Sequence, residues 1–537
     1  MSIPPLKDTA MSSDALDPQP VQPAIGANVT RLVDLIRIVS RSQPNAPAIE
    51  FEGQTHSFAQ VYGNAVKLAN GLLRSGLSAG DAVGILSGNC PEYLEIYLGC
   101  QLAGVVAVPL NYRAVTDDIA YVLGNCSARA ALVDSQYHAT LEAAMPRLPS
   151  LAQEKIFVLG SDRYRRLIDD SDSVEPPRVA PTAPSTIFYT SGTTGFPKGA
   201  MMSHQNILMR LVSWGWEFGL GAADVVLVPG PVFHMSFSSV ALTTLAAGGR
   251  VVLTRDFDAV HALEQMGRFG VSWVFLVPKM WTMILDAVAT SGDHSAGQQL
   301  RGLLSSGSPL SDPMLGALRS AFPNARLADA YGWTETGWVS ICRHEDLLRG
   351  KHSVGRAAFA CEIAVLDTEG RECAPGQIGE IHAANPLSFM GYHGNPAASA
   401  AIRRGKWESG GDMGYLDDEG HLYLADRKND MIISGGENIY PAELERVLAQ
   451  HPKVLEVSVV GVPDETWGES PRACVVLKPG EASAADEIIA FCEGRLARYK
   501  RPRSVEFVQA LPRNAMGKVL RRELRERYWQ GHQARIR

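Results

Sequence analysis

An α/β fold with parallel sheets covered on both faces, continued by antiparallel structure and closed by a separate α+β unit, is what this 537-residue sequence predicts. Three observations carry that expectation. From about residue 30 to about residue 360, short apolar runs alternate with amphipathic stretches, the pattern of strands buried between two helical layers. Past about residue 360, paired segments joined by tight-turn dipeptides take over, the mark of hairpins. Beyond Arg427, a mixed stretch of about a hundred residues is long enough to fold alone.

The elements follow in order. FAQVYGNAVKLANGLLRSG sets Val61, Ala65, Leu68, Ala69 and Leu72 on one helical face. DAVGILSG reads as a buried strand, PEYLEIYLGCQLAG as a helix, VVAVPL and AALVD as further strands. After residue 200 the alternation resumes with DVVLVPG, FSSVALTTLAAGG, RVVLT, DAVHALEQMGRF, VSWVFLVP and KMWTMILDAV. EIAVLD, EIHAA and the pair GYLDD-EG-HLYLADR are the expected antiparallel segments. In the last unit PAELERVLAQHP and ADEIIAFCEGRLA read as helices, EVSVVGVPD and ACVVLKPG as strands. The polar run Asp426–Asp430 fits either a hinge or a surface turn. The expected organisation is a disordered, Pro-rich tail over 1–30, a large region over 31–428 and a C-terminal domain over 429–537.

Composition narrows the function. A formal net charge of −7 argues against a nucleic-acid partner. No run approaches the roughly 18 apolar residues of a membrane span, and the N-terminus lacks a signal-peptide core, so a cytoplasmic protein is expected. The eight cysteines never form a CxxC pair and read as scattered buried thiols rather than a zinc site or disulfide frame.

The chemistry concentrates in FYTSGTTGFPKGAMMSHQN. An apolar strand ends at Tyr189, and Thr190, Ser191, Gly192, Thr193, Thr194 and Gly195 follow, then Pro197, Lys198 and Gly199. Glycines admit close backbone approach to an anion, hydroxyls and amides donate to phosphate oxygens, and lysine adds a point charge. The string is not a Walker A loop, which needs Lys-Ser/Thr directly after its second Gly. On composition alone a flexible Gly/Ser/Thr loop fits as well.

YTSGTTGFPKG resembles the phosphate-loop signature of the adenylate-forming superfamily: acyl-CoA synthetases, peptide-synthetase adenylation domains and firefly luciferase. Further segments resemble the family's motifs in order: Ser306-Gly307-Ser308-Pro309, Tyr331-Gly332-Trp333-Thr334-Glu335, Trp407 to Asp412, Asp426-Arg427, Ser434-Gly435-Gly436-Glu437-Asn438, and Pro512 to Lys518. The resemblance implies two parallel α/β lobes plus a β-barrel-like subdomain, carrying a mobile C-terminal cap. It implies an ATP-dependent ligase that joins a small-molecule carboxylic acid to coenzyme A through an acyl-adenylate, with Mg²⁺ as cofactor.

Site residues carry over position by position. The nucleotide falls to Thr190, Ser191, Gly192, Thr193, Thr194, Gly195, Lys198, Gly307, Ser308, Pro309, Asp329, Tyr331, Gly332, Thr334, Asp412, Arg427, Asn438 and Lys518. Tyr331 offers a ring face to the purine. Asp412 and Arg427 offer hydrogen bonds to the sugar. Glu335, with the Thr190 hydroxyl, is expected to hold the metal. Lys518 is the charge expected between the attacking carboxylate and the α-phosphate. His234 is assigned a catalytic place beside the acyl pocket, shared with Gly332 and Trp333, although a histidine after an apolar strand is equally a packed core residue. Gly435, Gly436 and Glu437 are assigned to coenzyme A.

Two positions depart from the family pattern. Asn429 stands where the rotation hinge is normally Asp or Lys, and asparagine's tolerance of unusual backbone angles suits rotation. Gly410 replaces the threonine of the usual Thr-Gly-Asp turn, which is expected to weaken orientation of the sugar.

For the substrate, Gly332 stands where acetate ligases carry tryptophan, so an acid larger than propionate is expected, a medium- or long-chain fatty acid first and an aromatic or cyclic acid as the alternative. Trp214, Trp216, Trp273, Trp281, Trp333 and Trp338 are candidates for pocket walls or for core. The sequence ends soon after Lys518 with no fused carrier domain, so coenzyme A is the expected acceptor, with a separate acyl-carrier protein as the alternative. Oligomeric state stays open, a homodimer included.

Overall fold

The computed structural model describes residues 29–190, 197–292, 295–308, 310–349, 353–427, 430–434, 437–464, 466–513 and 517–530. Four sheets organise them. A nine-stranded sheet is parallel from Arg326–Trp333 through Gly302–Ser306, Trp273–Leu276, Val225–Val228 and Arg250–Leu253 to Pro47–Phe51, with antiparallel strands at both edges. A seven-stranded sheet is built around parallel Ala82–Leu86, Val106–Pro109, Ala130–Val133, Ile156–Val158 and Pro184–Thr190. A six-stranded antiparallel sheet includes Glu362–Leu366, Gly379–Ala384, Asp412–Leu416 and Leu422–Arg427. The last sheet, of five strands, begins at Ile432.

Helices fill the space between the two large sheets, and one core cluster runs from Val83 and Ile85 of the seven-stranded sheet through to Val226, Val251 and Phe275 of the nine-stranded one. Local chemistry sets their limits. Helix Phe58–Arg74 opens with a reciprocal capping box between Ser57 and Gln60 and buries the face read from the sequence, Val61, Ala65, Leu68, Ala69 and Leu72. Helix Pro91–Ala103 is buried at every position except Glu92, which is why it shows no polar stripe. Its Gly99 lets it lie close against Leu68, since an added Cβ would sit 3.0 Å from Leu68 Cδ2.

The hairpins past residue 360 and the C-terminal α+β unit are present as expected, with helices Pro441–Leu448, Ala485–Phe491 and Arg521–Trp529 around the five-stranded sheet. That unit holds two core clusters of its own, one centred on Leu444, Val459 and Ile488, the other on Val460, Val462 and Leu524. The hairpin Pro47–Ser57 at the far edge of the nine-stranded sheet went unread in the sequence, because its strand pairs with Arg250–Leu253 across two hundred residues of chain. All eight cysteines are free, seven of them buried. Among the described residues no helix is long and apolar enough to cross a membrane.

The strand order matters for the site. Val225–Val228, Trp273–Leu276, Gly302–Ser306 and Arg326–Trp333 are neighbours running in one direction. Their carboxyl ends therefore deliver the loops carrying His234, Lys279, Gly307 and Glu335 to one edge of the sheet, where ligands of open α/β sheets collect.

Candidate active site

Strand Pro184–Thr190 is buried from Ser185 to Phe188 and emerges half-buried at Thr190, whose Cα partner on the returning strand is Lys198. Ser191 to Gly195 lie outside the described residues. Gly199 follows Lys198 because the ring of Tyr189 lies over it: a Cβ there would sit 3.0 Å from Tyr189 Cζ and 2.7 Å from Ile187 Cγ2. The strand Gly391–Tyr392 pairs onto this hairpin, with Tyr392 opposite Ala200, and brings the Lys198 ammonium 5.3 Å from the centre of the Tyr392 ring.

The acidic turn between Arg326–Trp333 and Gly337–Cys342 is held from several sides. Glu335 is only 9% exposed, and one carboxylate oxygen accepts a 2.7 Å hydrogen bond from the Tyr392 hydroxyl. Its backbone carbonyl accepts from the Phe389 amide at 2.7 Å and from Arg210 Nη2 at 2.9 Å. Arg210 Nε donates to the Leu387 carbonyl at 2.9 Å. Burial pushes the Arg210 guanidinium down to about 10, with the charges of Glu335 and Glu408 opposing that fall. Burial, then the neighbouring Glu335 charge, pushes the Tyr392 phenol well above its ordinary range, so it stays a donor.

Two residues read from separate motifs meet here. The Tyr331 hydroxyl donates to Asp412 Oδ2 at 2.7 Å. Asp412 and Arg427 are direct Cα partners across their hairpin, so both sugar-side candidates lie at one register position. The Ser306 hydroxyl donates to the Ala330 carbonyl at 2.7 Å, tying the end of one strand to the next. Gly307 follows at φ +92°, a conformation glycine adopts without penalty, with Ser308 exposed beside it. Burial raises the Asp329 carboxyl to about 7, against backbone amides of Leu310 and Ala330 that lower it. Pro309 lies outside the described residues, and Thr334 is half-buried in the turn.

The hydroxyl missing at Gly410 appears one residue earlier. Ser409 Oγ accepts from the Gly411 amide at 3.0 Å and donates to Glu380 Oε1 at 2.7 Å, while Gly411 turns at φ +77°. Gly410 itself lies under the Trp333 ring, where a Cβ would come within 2.7 Å of Trp333 Cδ2. Trp333 thus packs against both Gly410 and Tyr331, edge-on to the Tyr331 ring at 5.7 Å. Gly332 forms the bulge of its hairpin, and a Cβ there would run into the Gly337 carbonyl. A tryptophan at 332 would therefore displace the hairpin before it filled any pocket.

His234 caps helix Met235–Ala246, its Nδ1 accepting from the Ser236 amide at 3.4 Å. Desolvation pushes its pKa down to about 4, so the imidazole is neutral at physiological pH. Of the six tryptophans, Trp214, Trp273, Trp281 and Trp338 are core and Trp216 is 72% exposed. Trp281 belongs to the opposite layer, against Phe322. Trp214 packs on Trp338 at 5.0 Å, and Trp214, Trp273, Phe218 and Phe275 close around a void of only about 10 Å³.

On the C-terminal unit, Lys518 is exposed on a loop closed by an antiparallel bridge between Arg513 and Val519, with Gly517 at φ +76°. That loop faces the body: a Cβ on Gly517 would lie 4.0 Å from the Cβ of Lys279, at the start of helix Pro278–Ser291. The Lys518 loop therefore stands at the strand-end edge described above. Glu437 is exposed and opposite Ser434, and Asn438 is opposite Ile433. Asn429, Gly435 and Gly436 lie outside the described residues.

Sequence reasoning missed Arg210, Tyr392 and Ser409. Arg210 left one trace, a cation in helical phase with the buried Ile207, Leu211 and Trp214. Tyr392 left none.

Comparison with known proteins follows the same lines. Residues 37–393 match the family model described as AMP-binding enzyme, and residues 443–518 match AMP-binding enzyme C-terminal domain. A fatty acid–[acyl-carrier-protein] ligase of Streptomyces coeruleorubidus is 33% identical over 512 residues, covering 93% of this chain and 96% of that one. A feruloyl-CoA synthase of an Amycolatopsis species is 35% identical, covering 91% and 97%. The solved O-succinylbenzoate coenzyme A synthetase of Bacillus subtilis, in complex with ATP and magnesium ion, superposes with a TM-score of 0.81 at 31% identity, covering 91% and 98%.

Proposed function

Because the chain belongs to the AMP-binding enzyme family, we propose that its site performs both halves of an acid–thiol ligation, on an acid larger than propionate and with coenzyme A as acceptor. In the first half a carboxylate oxygen of the acid attacks the α-phosphorus of ATP, and the bond to pyrophosphate breaks. In the second the thiolate of coenzyme A attacks the acyl carbon of the adenylate and AMP leaves. The observation that carries the reading is the Tyr331–Asp412 hydrogen bond, which joins the nine-stranded sheet to the six-stranded one at the register position of Arg427, with the buried Glu335 in the turn that follows the Tyr331 strand.

Each side chain has a task. Tyr331 and Asp412, already bonded to one another, present a ring face and a carboxylate to the nucleoside. The Thr190 hairpin presents Lys198 toward phosphate. Glu335 and the Thr190 hydroxyl form a hard-oxygen donor set suited to Mg²⁺, and one Glu335 oxygen remains after the Tyr392 bond is counted. Held there, Mg²⁺ would supply neutralisation of charge on the phosphates. Lys518 approaches from the C-terminal unit and screens repulsion between carboxylate and α-phosphate. Rotation of that unit about Asn429 then withdraws Lys518 and brings Gly435, Gly436 and Glu437 to the thiol. A His234 that stays uncharged at neutral pH is a hydrogen-bonding and packing group at the acyl side, at the head of its helix.

Among acids, a medium- or long-chain fatty acid or a bulky aromatic acid is the class supported by the relatives rather than by position 332, where a Cβ meets hairpin backbone and not pocket. The feruloyl and succinylbenzoyl relatives bear on the aromatic class, the carrier-protein ligase on the fatty class and on a carrier thiol as second reading for the acceptor. Pyrophosphate release measured across a panel of acids, each with coenzyme A and with a phosphopantetheinylated carrier protein, separates these. Absence of release with every acid tested would overturn the ligase reading.

A further inference from the structure

We propose that Tyr392 is a positioning residue for the adenylation half-reaction: its hydroxyl fixes the rotation of the Glu335 carboxylate and so decides which oxygen is offered to Mg²⁺·ATP. The inference rests on the reading of Glu335 given above and deepens it. A carboxylate on a turn has a free final torsion, and both its oxygens are equivalent acceptors. Here they are made inequivalent. The Tyr392 hydroxyl holds Oε1 at 2.7 Å, inside a region where Glu335 is 9% exposed and Tyr392 8%.

The backbone of the same residue is held separately. The Glu335 carbonyl accepts from the Phe389 amide and from the buried Arg210, and Arg210 in turn reaches the Leu387 carbonyl and, at 3.0 Å, the Met235 sulfur. With the main chain pinned by Phe389 and Arg210, the side-chain torsions are the remaining freedom, and the Tyr392 bond restrains the last of them, the carboxylate rotation. Tyr392 is itself fixed: its strand pairs with Met201 and Ala200, its amide donates to Ser399 Oγ at 2.8 Å, and Phe389 packs edge-on to its ring at 5.0 Å. Because that strand is the neighbour of the Thr190 hairpin, the residue that aims Glu335 is carried by the element that presents Lys198. Partners of this kind change metal affinity by about 10–100-fold when removed.

The test uses the full-length protein with ATP and no acid, so that no turnover occurs, and Mn²⁺ as a spectroscopic probe for Mg²⁺. Tyr392→Phe is expected to weaken Mn²⁺ binding to the ATP complex by about tenfold, with the melting temperature near wild type. Thioester formation from synthetic acyl-adenylate is expected to stay unchanged. A purely packing role would instead act independently of Glu335. The decisive comparison is therefore the double variant: in a Glu335→Gln background, adding Tyr392→Phe should change Mn²⁺ binding by less than about twofold. Full additivity overturns the proposal. If Glu335→Gln alone leaves Mn²⁺ binding intact, the metal reading of Glu335 has failed; if it weakens binding while Tyr392→Phe does not, only the present inference has failed. Should the phenylalanine variant not fold, 3-fluorotyrosine at 392 retains the side chain's shape. Its fluorine resonance should move when Mg²⁺ is added to the ATP complex and stay still in Glu335→Gln, and an unmoved resonance in the otherwise unaltered protein overturns the proposal.

Discussion

Glu335 and Lys518 are the two charged groups at the centre of the proposed chemistry, and the molecule treats them oppositely. Glu335 is buried, with hydrogen bonds to its side chain and its carbonyl from Tyr392, Phe389 and Arg210. Lys518 is exposed on a short loop of a unit that has its own cores. The body thus holds pre-aimed groups, whereas in the proposed mechanism the C-terminal unit holds a charge that is delivered and withdrawn. Pre-organisation lowers the barrier of one step, and a movable lysine allows a second step to use the same edge of the sheet.

The sharpest way to break this comparison is Lys518→Ala. One oriented charge at a developing anion contributes about 3–4 kcal/mol, so acid-dependent pyrophosphate release should fall by about two to three orders of magnitude. Supplied with synthetic acyl-adenylate and coenzyme A, the same variant should form thioester near the wild-type rate. Equal loss of both half-reactions in a folded variant would show that Lys518 is as fixed a part of the site as Glu335.

Asp412→Asn probes the fixed side. The carboxylate accepts from Tyr331 and is the proposed sugar-side acceptor, and hydrogen bonds to charged groups contribute about 1.5–3 kcal/mol. The KM for ATP should rise by about 10–100-fold, and both half-reactions should suffer, because the adenylate keeps its ribose in each. An effect confined to pyrophosphate release would place Asp412 with Lys518 rather than with Glu335.

A smaller effect concerns pH. His234 has a folded pKa of about 4 against an ordinary value near 6.5, so the unfolded chain takes the proton first as pH falls. Its contribution is fully present above about pH 6.5 and is lost progressively toward pH 4. Denaturant unfolding of wild type and His234→Gln at pH 7 and pH 5 should show the stability gap shifting toward the variant at pH 5, by on the order of 1–2 kcal/mol. The pH profile of adenylation should keep its shape in the variant, because the imidazole does not change charge across the neutral range. A limb that disappears with the histidine would return it to acid–base catalysis.

What the sequence disclosed divides along the same line. Contiguous segments were legible: the Thr190 strand end, the Glu335 turn and the Lys518 loop each announce their chemistry within a few residues. The alternation of strands and helices was legible for the same reason, being a local pattern. Supports contributed across long separations were not. Arg210 reaches Glu335 over 125 positions and Tyr392 over 57, and nothing near either residue encodes the partner. The Ser409 hydroxyl was hidden differently, by standing one position away from where the motif places it.

That displacement supports the smallest prediction and explains the missing threonine. Ser409 accepts from the Gly411 amide and donates to Glu380, so it braces the turn that aims Asp412. Removing the hydroxyl in Ser409→Ala forfeits about 1 kcal/mol of hydrogen bonding and should raise the KM for ATP by roughly fivefold, with kcat nearly unchanged. Restoring the family's threonine by Gly410→Thr should not compensate, because the Trp333 ring occupies the space a Cβ needs, 2.7 Å from Cδ2. Alone, Gly410→Thr should impair ATP binding more than Ser409→Ala does, by forcing Trp333 away from Tyr331. Combined with Trp333→Leu, which clears that space, the threonine should become tolerable and the loss from Ser409→Ala should shrink. ATP titrations of the single and combined variants decide the matter. If Gly410→Thr binds ATP as well as wild type without any change at Trp333, the ring is not what excludes the side chain, and the turn would belong with the movable parts of the molecule rather than the fixed ones.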